Sequence, residues 1–279
     1  MSGLSRRYLT PHNEIGGSVA AFGAGRHPSL GLSVRLALLP RATAKRTFDM
    51  GVAIIALTLL SVPMTLIALA VKLDSRGPVF YRVRRTGYRG RPLLMLKFRK
   101  MHHNASGISL TASEDPRLTR VGALLTRTRL DELPQFWDVL RGRMSIVGPR
   151  PEAPEFVRLH SDAYHRILSV RPGITGLSQL AFAAEREILD QDDLVGDYVT
   201  RILPQKVNLD VLYARAYAVR SDLAVLAWTA AAVVLGKDVA VNRRTGRLTL
   251  RRRPSAPGAE WQRTALRRER RALGRIEAA

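Results

Sequence analysis

From Met50 to Val71 the chain runs 22 residues without a charge, MGVAIIALTLLSVPMTLIALAV. A straight helix of that length reaches about 33 Å at about 1.5 Å per residue, against a hydrocarbon core of about 30 Å. Pro63 stands in the middle of the run, where it removes one helical hydrogen bond and clashes with the preceding turn. Ser61 is near enough to satisfy the carbonyl set free. Both flanks are basic, with Arg41, Lys45 and Arg46 before the run and Lys72, Arg76, Arg82, Arg84 and Arg85 after it. Cytoplasmic flanks attract positive charge, so both ends belong on one side. A helix that dips in, bends at Ser61–Pro63 and returns satisfies both facts; a kinked spanning helix or a signal anchor is the alternative.

The patterns that follow are those of a compact mixed domain. VFYRV (79–83) and LLMLKF (93–98), joined by the glycines and proline of TGYRGRP, predict a β-hairpin. SEDPRLTRVGALLTRTRLDELPQFWDVLRG reads as two helical pieces, with Pro134 in the first turn of the second and Gly142 as its stop. Residues 154–169 predict an amphipathic helix and 185–218 a further helical region. LAVLAWTAAAVVL (223–235) is apolar but too short to span, and Arg220 and Lys237 bracket it. With Trp228 suited to an interface, it reads as a helix lying on the membrane surface; a buried core helix is the alternative. Residues 1–44, rich in small residues and without a sustained period, read as a mobile basic N-terminal extension rather than a secretory signal.

Composition narrows what such a chain can do. Its 279 residues suffice for one large domain or two small ones. With no cysteine there is no disulfide scaffold and no thiolate metal site. The net charge of +22 calls for an anionic partner: nucleic acid, anionic membrane or phosphorylated substrate. Much of the excess lies in two tails, however. Residues 1–44 hold five basic groups and one acidic, and residues 237–279 hold thirteen and four. RRR at 251–253 and RRERR at 267–271 make the last segment an Arg-rich solvated tail that can touch anionic lipid. Aromatic residues make up only 6% of the chain, few for stacking on bases.

Candidate chemistry centres on Asp131–Glu132–Leu133–Pro134, just ahead of the helix that Pro134 starts. Two adjacent carboxylates there face free N–H groups and the positive end of a helix dipole, with Arg127 and Arg129 nearby. Each of these influences favours ionisation and lowers a carboxylate pKa. An ionised, oriented carboxylate can attack phosphorus, and it or its neighbour can hold Mg²⁺ bound to a diphosphate. The same pair is also what an acidic helix cap without chemistry looks like. Ser145-Ile146-Val147-Gly148-Pro149-Arg150-Pro151 is a stiff turn that fixes one Arg, able to grip phosphate or stack on a base. Lys97-Phe98-Arg99 ends a predicted strand with two cations, and Arg171-Pro172-Gly173-Ile174-Thr175-Gly176 is a turn whose N–H groups can approach phosphate. One acidic pair among fixed cations, beside a membrane segment, is what phosphoryl transfer from a nucleotide to a lipid phosphate needs.

These residues fall in an order that resembles the bacterial sugar transferases, the monotopic polyprenyl-phosphate phosphoglycosyl transferases. Lys45-Arg46-Thr47-Phe48-Asp49, the Pro-broken apolar run and Lys72-Leu73-Asp74-Ser75-Arg76-Gly77-Pro78-Val79-Phe80 come first. Lys97-Phe98-Arg99, Asp115-Pro116-Arg117-Leu118-Thr119-Arg120-Val121-Gly122, Leu130-Asp131-Glu132-Leu133-Pro134-Gln135, Gly148-Pro149-Arg150-Pro151 and the Arg171–Gly176 turn follow. The resemblance covers roughly residues 45–235, and the segment around Tyr198, Pro204, Lys206, Tyr213 and Asp222 is similar to one branch of the family. The chain departs from the family pattern in four places: at Val83, where many members have Gln; at Arg143, often acidic; at Leu177–Phe182, which lacks Asn-Gly-Arg; and at Val62, which separates Ser61 from Pro63.

The resemblance implies an α+β, mostly helical fold: a re-entrant membrane helix plus a small cytosolic catalytic domain with a short β-hairpin and membrane-surface helices. It implies a re-entrant helix over 45–72 and a catalytic domain over 73–236; the extension 1–44 and the Arg-rich tail 237–279 lie outside it. It also implies a two-step exchange at the cytoplasmic face of the bacterial inner membrane. Asp131 attacks the sugar-linked phosphate of a UDP-sugar and expels UMP; polyprenyl (undecaprenyl) phosphate then takes the phosphosugar, starting an exopolysaccharide or other surface glycan. Glu132 assists, with Mg²⁺ held by Asp131 and Glu132. Arg150, flanked by Pro149 and Pro151, lies in the nucleotide region, and Lys97 and Arg99 lie near phosphate. The expected partners are UDP-sugar, polyprenyl phosphate and membrane lipid, with no nucleic acid. The alternative is a non-catalytic, membrane-tethered basic protein binding anionic lipid or nucleic acid.

Overall fold

The computed structural model describes residues 32–250, apart from 106–109, 111–114, 186–188 and 190–192. Most of the expected extension and the arginine clusters of the expected tail lie outside the described residues. Helix α1 (Leu32–Leu59) and helix α2 (Ser61–Asp74) open the chain, and the stretch of α1 from Ala42 meets α2 at a bend of 62°. Residues 32–44, expected as extension, are thus the first turns of α1, which runs on through Pro40. The bend lies at Leu60, just ahead of the expected Ser61–Pro63. Pro63 has no N–H to give and its ring excludes the helical carbonyl four residues back. The Ser61 hydroxyl donates to the Thr58 carbonyl at 2.8 Å, one residue ahead of the Leu59 carbonyl that Pro63 leaves without its helical donor. Among the described residues no single helix is long and apolar enough to cross a membrane, whereas the bent pair passes that test together.

The expected hairpin is present. Strands β1 (Phe80–Thr86) and β2 (Pro92–Phe98) pair antiparallel from Phe80↔Phe98 to Thr86↔Pro92. Period-two alternation sends Leu93 and Met95 into the core, exposes Leu94, and puts Lys97 on the core side at the strand's end. Helix α3 (Arg120–Thr128) starts at Thr119, whose hydroxyl accepts the Gly122 N–H at 2.9 Å. Its first turn lies directly on β2's exit: a side chain at Gly122 would place its Cβ 1.8 Å from the Lys100 carbonyl oxygen. Left-handed Arg129 ends α3, a 3-10 turn carries Leu130–Glu132, and helix α4 (Gln135–Leu140) follows Pro134.

Strand β3 (Ser145–Val147) pairs in parallel with β4 (Gly173–Thr175), the connection being helices α5 (Pro154–Leu159) and α6 (Ser161–Ile167). The single helix expected over 154–169 is therefore two, parted at His160. Helix α7 (Leu177–Ala181), helix α8 (Leu194–Asp197), a π-helical stretch (Tyr198–Ile202), helix α9 (Leu203–Ala216) and helix α10 (Val219–Val234) complete the helical part. The main core gathers Val139, Ile146, Phe156, Tyr164, Tyr198 and Leu209, while Val71, Phe98 and Leu125 form a second cluster where α2, β2 and α3 meet.

Helix α10 faces two ways: Asp222 and Val225 are buried, and Leu223, Val233 and Val234 are exposed. Residues 239–250 correct the expectation of a solvated tail beginning at 237. Strands β5 (Val239–Val241) and β6 (Leu248–Leu250) form a hairpin, and Val239 is buried in the main core. Apolar residues at alternate positions earn this burial despite the surrounding arginines.

Buried polar groups tie α1 to the body. Lys45 Nζ reaches Asp222 Oδ2 at 2.5 Å, and Asp49 accepts the Ser145 hydroxyl at 2.8 Å and the Ile146 N–H at 3.1 Å. The Tyr213 hydroxyl stands 2.8 Å from both Asp222 Oδ1 and the Val147 carbonyl. The opening helix is thereby fastened to β3, the strand that leads into the Arg150 turn.

Candidate active site

Asp131 and Glu132 sit in the 3-10 turn between α3 and α4, one turn ahead of the helix. Their partners among the described residues are cationic side chains rather than the N–H groups of α4, which removes the helix-cap reading. The two carboxylates are treated differently. Glu132 Oε1 takes Lys97 Nζ at 2.6 Å and Arg150 Nη2 at 3.0 Å. Asp131, 4% exposed, accepts no hydrogen bond among the described residues; Lys97 Nζ and Lys100 Nζ each stand 3.9 Å from its Oδ2. Burial pushes the Glu132 carboxyl upward, but Arg150 and Lys97 beside it win and hold it well below the usual carboxylate range. The Arg150 guanidinium is correspondingly held protonated, Glu132 outweighing the cost of burial.

Arg150 owes its position to a crossing of backbones. Gly148 donates its N–H to the Thr175 carbonyl at 2.9 Å, and Gly173 donates to the Pro149 carbonyl at 2.8 Å. A Cβ on Gly173 would lie 2.1 Å from the Gly148 nitrogen, so the two turns pass too closely for any side chain there. The Gln179 amide reaches both strands, at 3.4 Å from the Gly148 carbonyl and 3.3 Å from that of Gly173. Pro149 and Pro151 are buried on either side of a half-buried Arg150, which leaves the guanidinium as the part that can meet a ligand. The stretch that lacks Asn-Gly-Arg thus pins this turn through Gln179.

The structure brings Asp131, Glu132, Lys97 and Arg150 together, with Pro149 and Pro151 as the frame. It does not bring Arg99. Its Nη2 donates to the carbonyls of Val71 (3.1 Å) and Ser75 (2.7 Å) and lies 3.0 Å from the Ser75 hydroxyl, closing the C-terminus of α2. Strand alternation would have aligned Arg99 with Lys97, but β2 ends at Phe98 and the chain turns towards α2. Lys100, absent from the expected set, takes the place instead. Arg143 and Asp138 pair at 2.7 Å, and Asp138 accepts the Leu96 N–H at 2.9 Å, so that departure from the family pattern braces β2.

Sequence reasoning also missed the buried polar cluster behind Arg150. Lys206, 3% exposed, reaches Glu152 Oε1 at 3.0 Å and Glu185 Oε2 at 3.1 Å, and the Tyr198 hydroxyl donates to Glu152 Oε1 at 2.7 Å. Burial pushes Glu152 upward, yet Lys206 and Arg85 hold it below the ordinary range. Asp210 goes the other way: its burial, only partly offset by Ser178 and Lys206, pushes it up to about 7.

The family model for bacterial sugar transferase matches residues 40–236. The chain belongs to the bacterial sugar transferase family. It is 38% identical over 192 residues to an undecaprenyl-phosphate glucose phosphotransferase of Komagataeibacter xylinus, covering 65% of this chain and 34% of that one. It is 38% identical over 192 residues to a UDP-glucose:undecaprenyl-phosphate glucose-1-phosphate transferase of Escherichia coli K12, covering 65% and 38%. It is 34% identical over 211 residues to the exopolysaccharide production protein ExoY of Sinorhizobium fredii, covering 70% and 87%. The chain spans under two fifths of the length of the first two relatives.

For a sugar transferase of this kind the donor set can be asked whether it suits Mg²⁺. Among the described residues no three His, Asp or Glu side chains gather as a cation cage. Mg²⁺ is commonly held by one or two carboxylates with substrate phosphates completing its sphere. Asp131, whose oxygens take no hydrogen bond among the described residues, and the adjacent Glu132 supply that smaller set. The residues fit an ion that arrives with a diphosphate.

Proposed function

We propose that this protein transfers a phosphosugar from a UDP-sugar, UDP-glucose foremost, to undecaprenyl phosphate, releasing UMP and starting an exopolysaccharide or related surface glycan. The observation that carries this reading is the inequality of the two carboxylates. Glu132 gives its Oε1 to both Lys97 and Arg150, while Asp131 keeps its lone pairs beside two ammonium groups. The activities that the relatives' names state support the choice of donor and acceptor.

In the first step an Asp131 oxygen attacks the sugar-linked phosphorus. The P–O bond to the UMP phosphate breaks, UMP leaves with the bonding pair, and the phosphosugar is held as an acyl phosphate. In the second step an oxygen of undecaprenyl phosphate attacks the same phosphorus and Asp131 leaves as carboxylate, giving the lipid diphosphate sugar. Lys97 and Lys100 face the oxygens that gain charge, and Arg150 grips the diphosphate bidentately. Glu132 holds Lys97 and Arg150 in place. Mg²⁺, held by Asp131, Glu132 and the diphosphate, would neutralise phosphate charge.

On this reading the site lies at the cytoplasmic face of the bacterial inner membrane, with α1 and α2 as the two arms of a re-entrant insertion. Support comes from the 62° bend, the exposed Ile54, Ile55, Leu59, Val62, Leu66 and Leu69, and the basic flanks at both ends. The chain has no native cysteine, so single Ala42→Cys and Arg76→Cys variants report each flank cleanly. Both are expected to resist an impermeant maleimide in spheroplasts and to react in inverted vesicles; reaction on opposite sides would replace the insertion with a crossing. The activity itself is tested by UMP release from a panel of UDP-sugars with Mg²⁺, with and without undecaprenyl phosphate. Lipid-dependent turnover of UDP-glucose, beyond one equivalent of UMP per enzyme, is expected, and silence across the panel would refute it.

A further inference from the structure

Arg150 is ringed by more negative charge than it neutralises. Glu132 stands in front at 3.0 Å, and Glu152 and Glu185 both act on Arg150 electrostatically from behind. Glu132 already holds Lys97 at 2.6 Å, so a rear carboxylate without a partner of its own would compete for the guanidinium. Lys206 removes that competition. Its ammonium lies 3.0 Å from Glu152, 3.1 Å from Glu185 and 2.9 Å from the Tyr198 hydroxyl, and is 3% exposed. Both rear carboxylates are thereby occupied, and Arg150 makes its ion pair with Glu132.

We infer that Lys206 is a positioning residue that holds Arg150 forward, by satisfying Glu152 and Glu185 so that they do not draw the guanidinium away from the donor. Without the ammonium, Glu152 would remain buried with the Tyr198 hydroxyl as its hydrogen-bond partner and with Arg85 and Arg150 as the cations that act on it. Arg150, two residues earlier in the chain, can swing onto it. A buried charge that loses its partner recruits another or unfolds its surroundings. The retreat of Arg150 would remove a bidentate phosphate contact from the front of the site and leave Asp131, Lys97 and Lys100 where they are. The effect belongs to donor binding and not to the chemical step. This inference rests on the proposed reading of the site as a binder of nucleotide diphosphates.

The test uses the full chain in detergent. Lys206→Met is expected to raise KM for UDP-glucose about tenfold, the worth of one charge-assisted contact, with kcat within about threefold of wild type. Adding Glu152→Gln removes the competing carboxylate together with the ammonium, leaves one buried charge fewer to satisfy, and returns KM to within about threefold of wild type. In an Arg150→Ala background, Lys206→Met should leave KM unchanged, which a merely structural role for Lys206 would not produce. A crystal structure of Lys206→Met should show Arg150 on Glu152. An unchanged KM in the single variant, an equal rise in the Arg150→Ala background, or Arg150 still on Glu132 would overturn the inference. If the wild type turns over no UDP-sugar, the functional reading fails instead, and the position of Arg150 in the variant structure still decides the role of Lys206. Should Lys206→Met not fold, the Lys206→Met/Glu152→Gln pair is compared with Glu152→Gln alone: equal KM values are expected, and a rise on losing Lys206 after the competitor is gone would overturn it.

Discussion

Replacing Asp131 with Asn abolishes UMP release, with an expected loss of at least about 10³-fold, because the amide keeps the shape and removes the nucleophile. The fold should survive the change. Asp131 takes no hydrogen bond among the described residues, and its two cations stand at 3.9 Å, so no tight contact is broken. Glu132 continues to hold Lys97 at 2.6 Å, and the turn keeps its geometry. The melting transition is therefore expected close to wild type while turnover vanishes. Glu132→Gln behaves differently: it frees Lys97 and Arg150 together, and its loss combines weaker binding with slower chemistry. Activity that survives Asp131→Asn would transfer the nucleophile's role elsewhere.

The second large effect is expected at Arg150. Arg150→Ala should lower kcat/KM for the UDP-sugar by about 10- to 100-fold, mostly through KM, as one or two charge-assisted contacts are lost. The protein tolerates the removal because Lys97 still pairs Glu132 and Lys206 still pairs Glu152 and Glu185. Arg150→Lys should recover only part of the loss, since a single ammonium cannot present the forked donors of a guanidinium. Steady-state kinetics across donor concentration separates the two parameters. A variant that changed kcat alone would place Arg150 on the reacting phosphoryl group rather than on the bound nucleotide.

Much of this arrangement was legible in the chain because local rules governed it. The hairpin follows from period-two alternation around a Gly/Pro turn, and the Arg150 turn from paired glycines and prolines that leave few conformations open. The bend after α1 follows from a single proline in an apolar helix. Arg99 was misplaced because strand alternation holds only while the strand lasts, and β2 ends one residue earlier. The 154–169 helix read as continuous because a break at His160 costs the amphipathic pattern almost nothing. The rear cluster escaped notice for a different cause: Glu152, Glu185 and Lys206 are far apart in sequence and meet only through α9.

One signal was available. Only six of the 45 basic residues are lysine. Lys45, Lys97, Lys100 and Lys206 all make interior or half-buried ion pairs with carboxylates. Lys72 and Lys237 are exposed, but at the other four positions a compact ammonium on a flexible stem stands among carboxylates in a chain that otherwise uses arginine.

The account is tested most directly by the mass of the intact protein after exposure to UDP-glucose and Mg²⁺ without acceptor. A gain equal to one phosphohexose, mapped to Asp131 and lost on adding undecaprenyl phosphate, is the result predicted. UMP release that is fully acceptor-dependent, with no adduct at any stage of a rapid quench, would contradict the covalent route and leave Asp131 as a cation ligand.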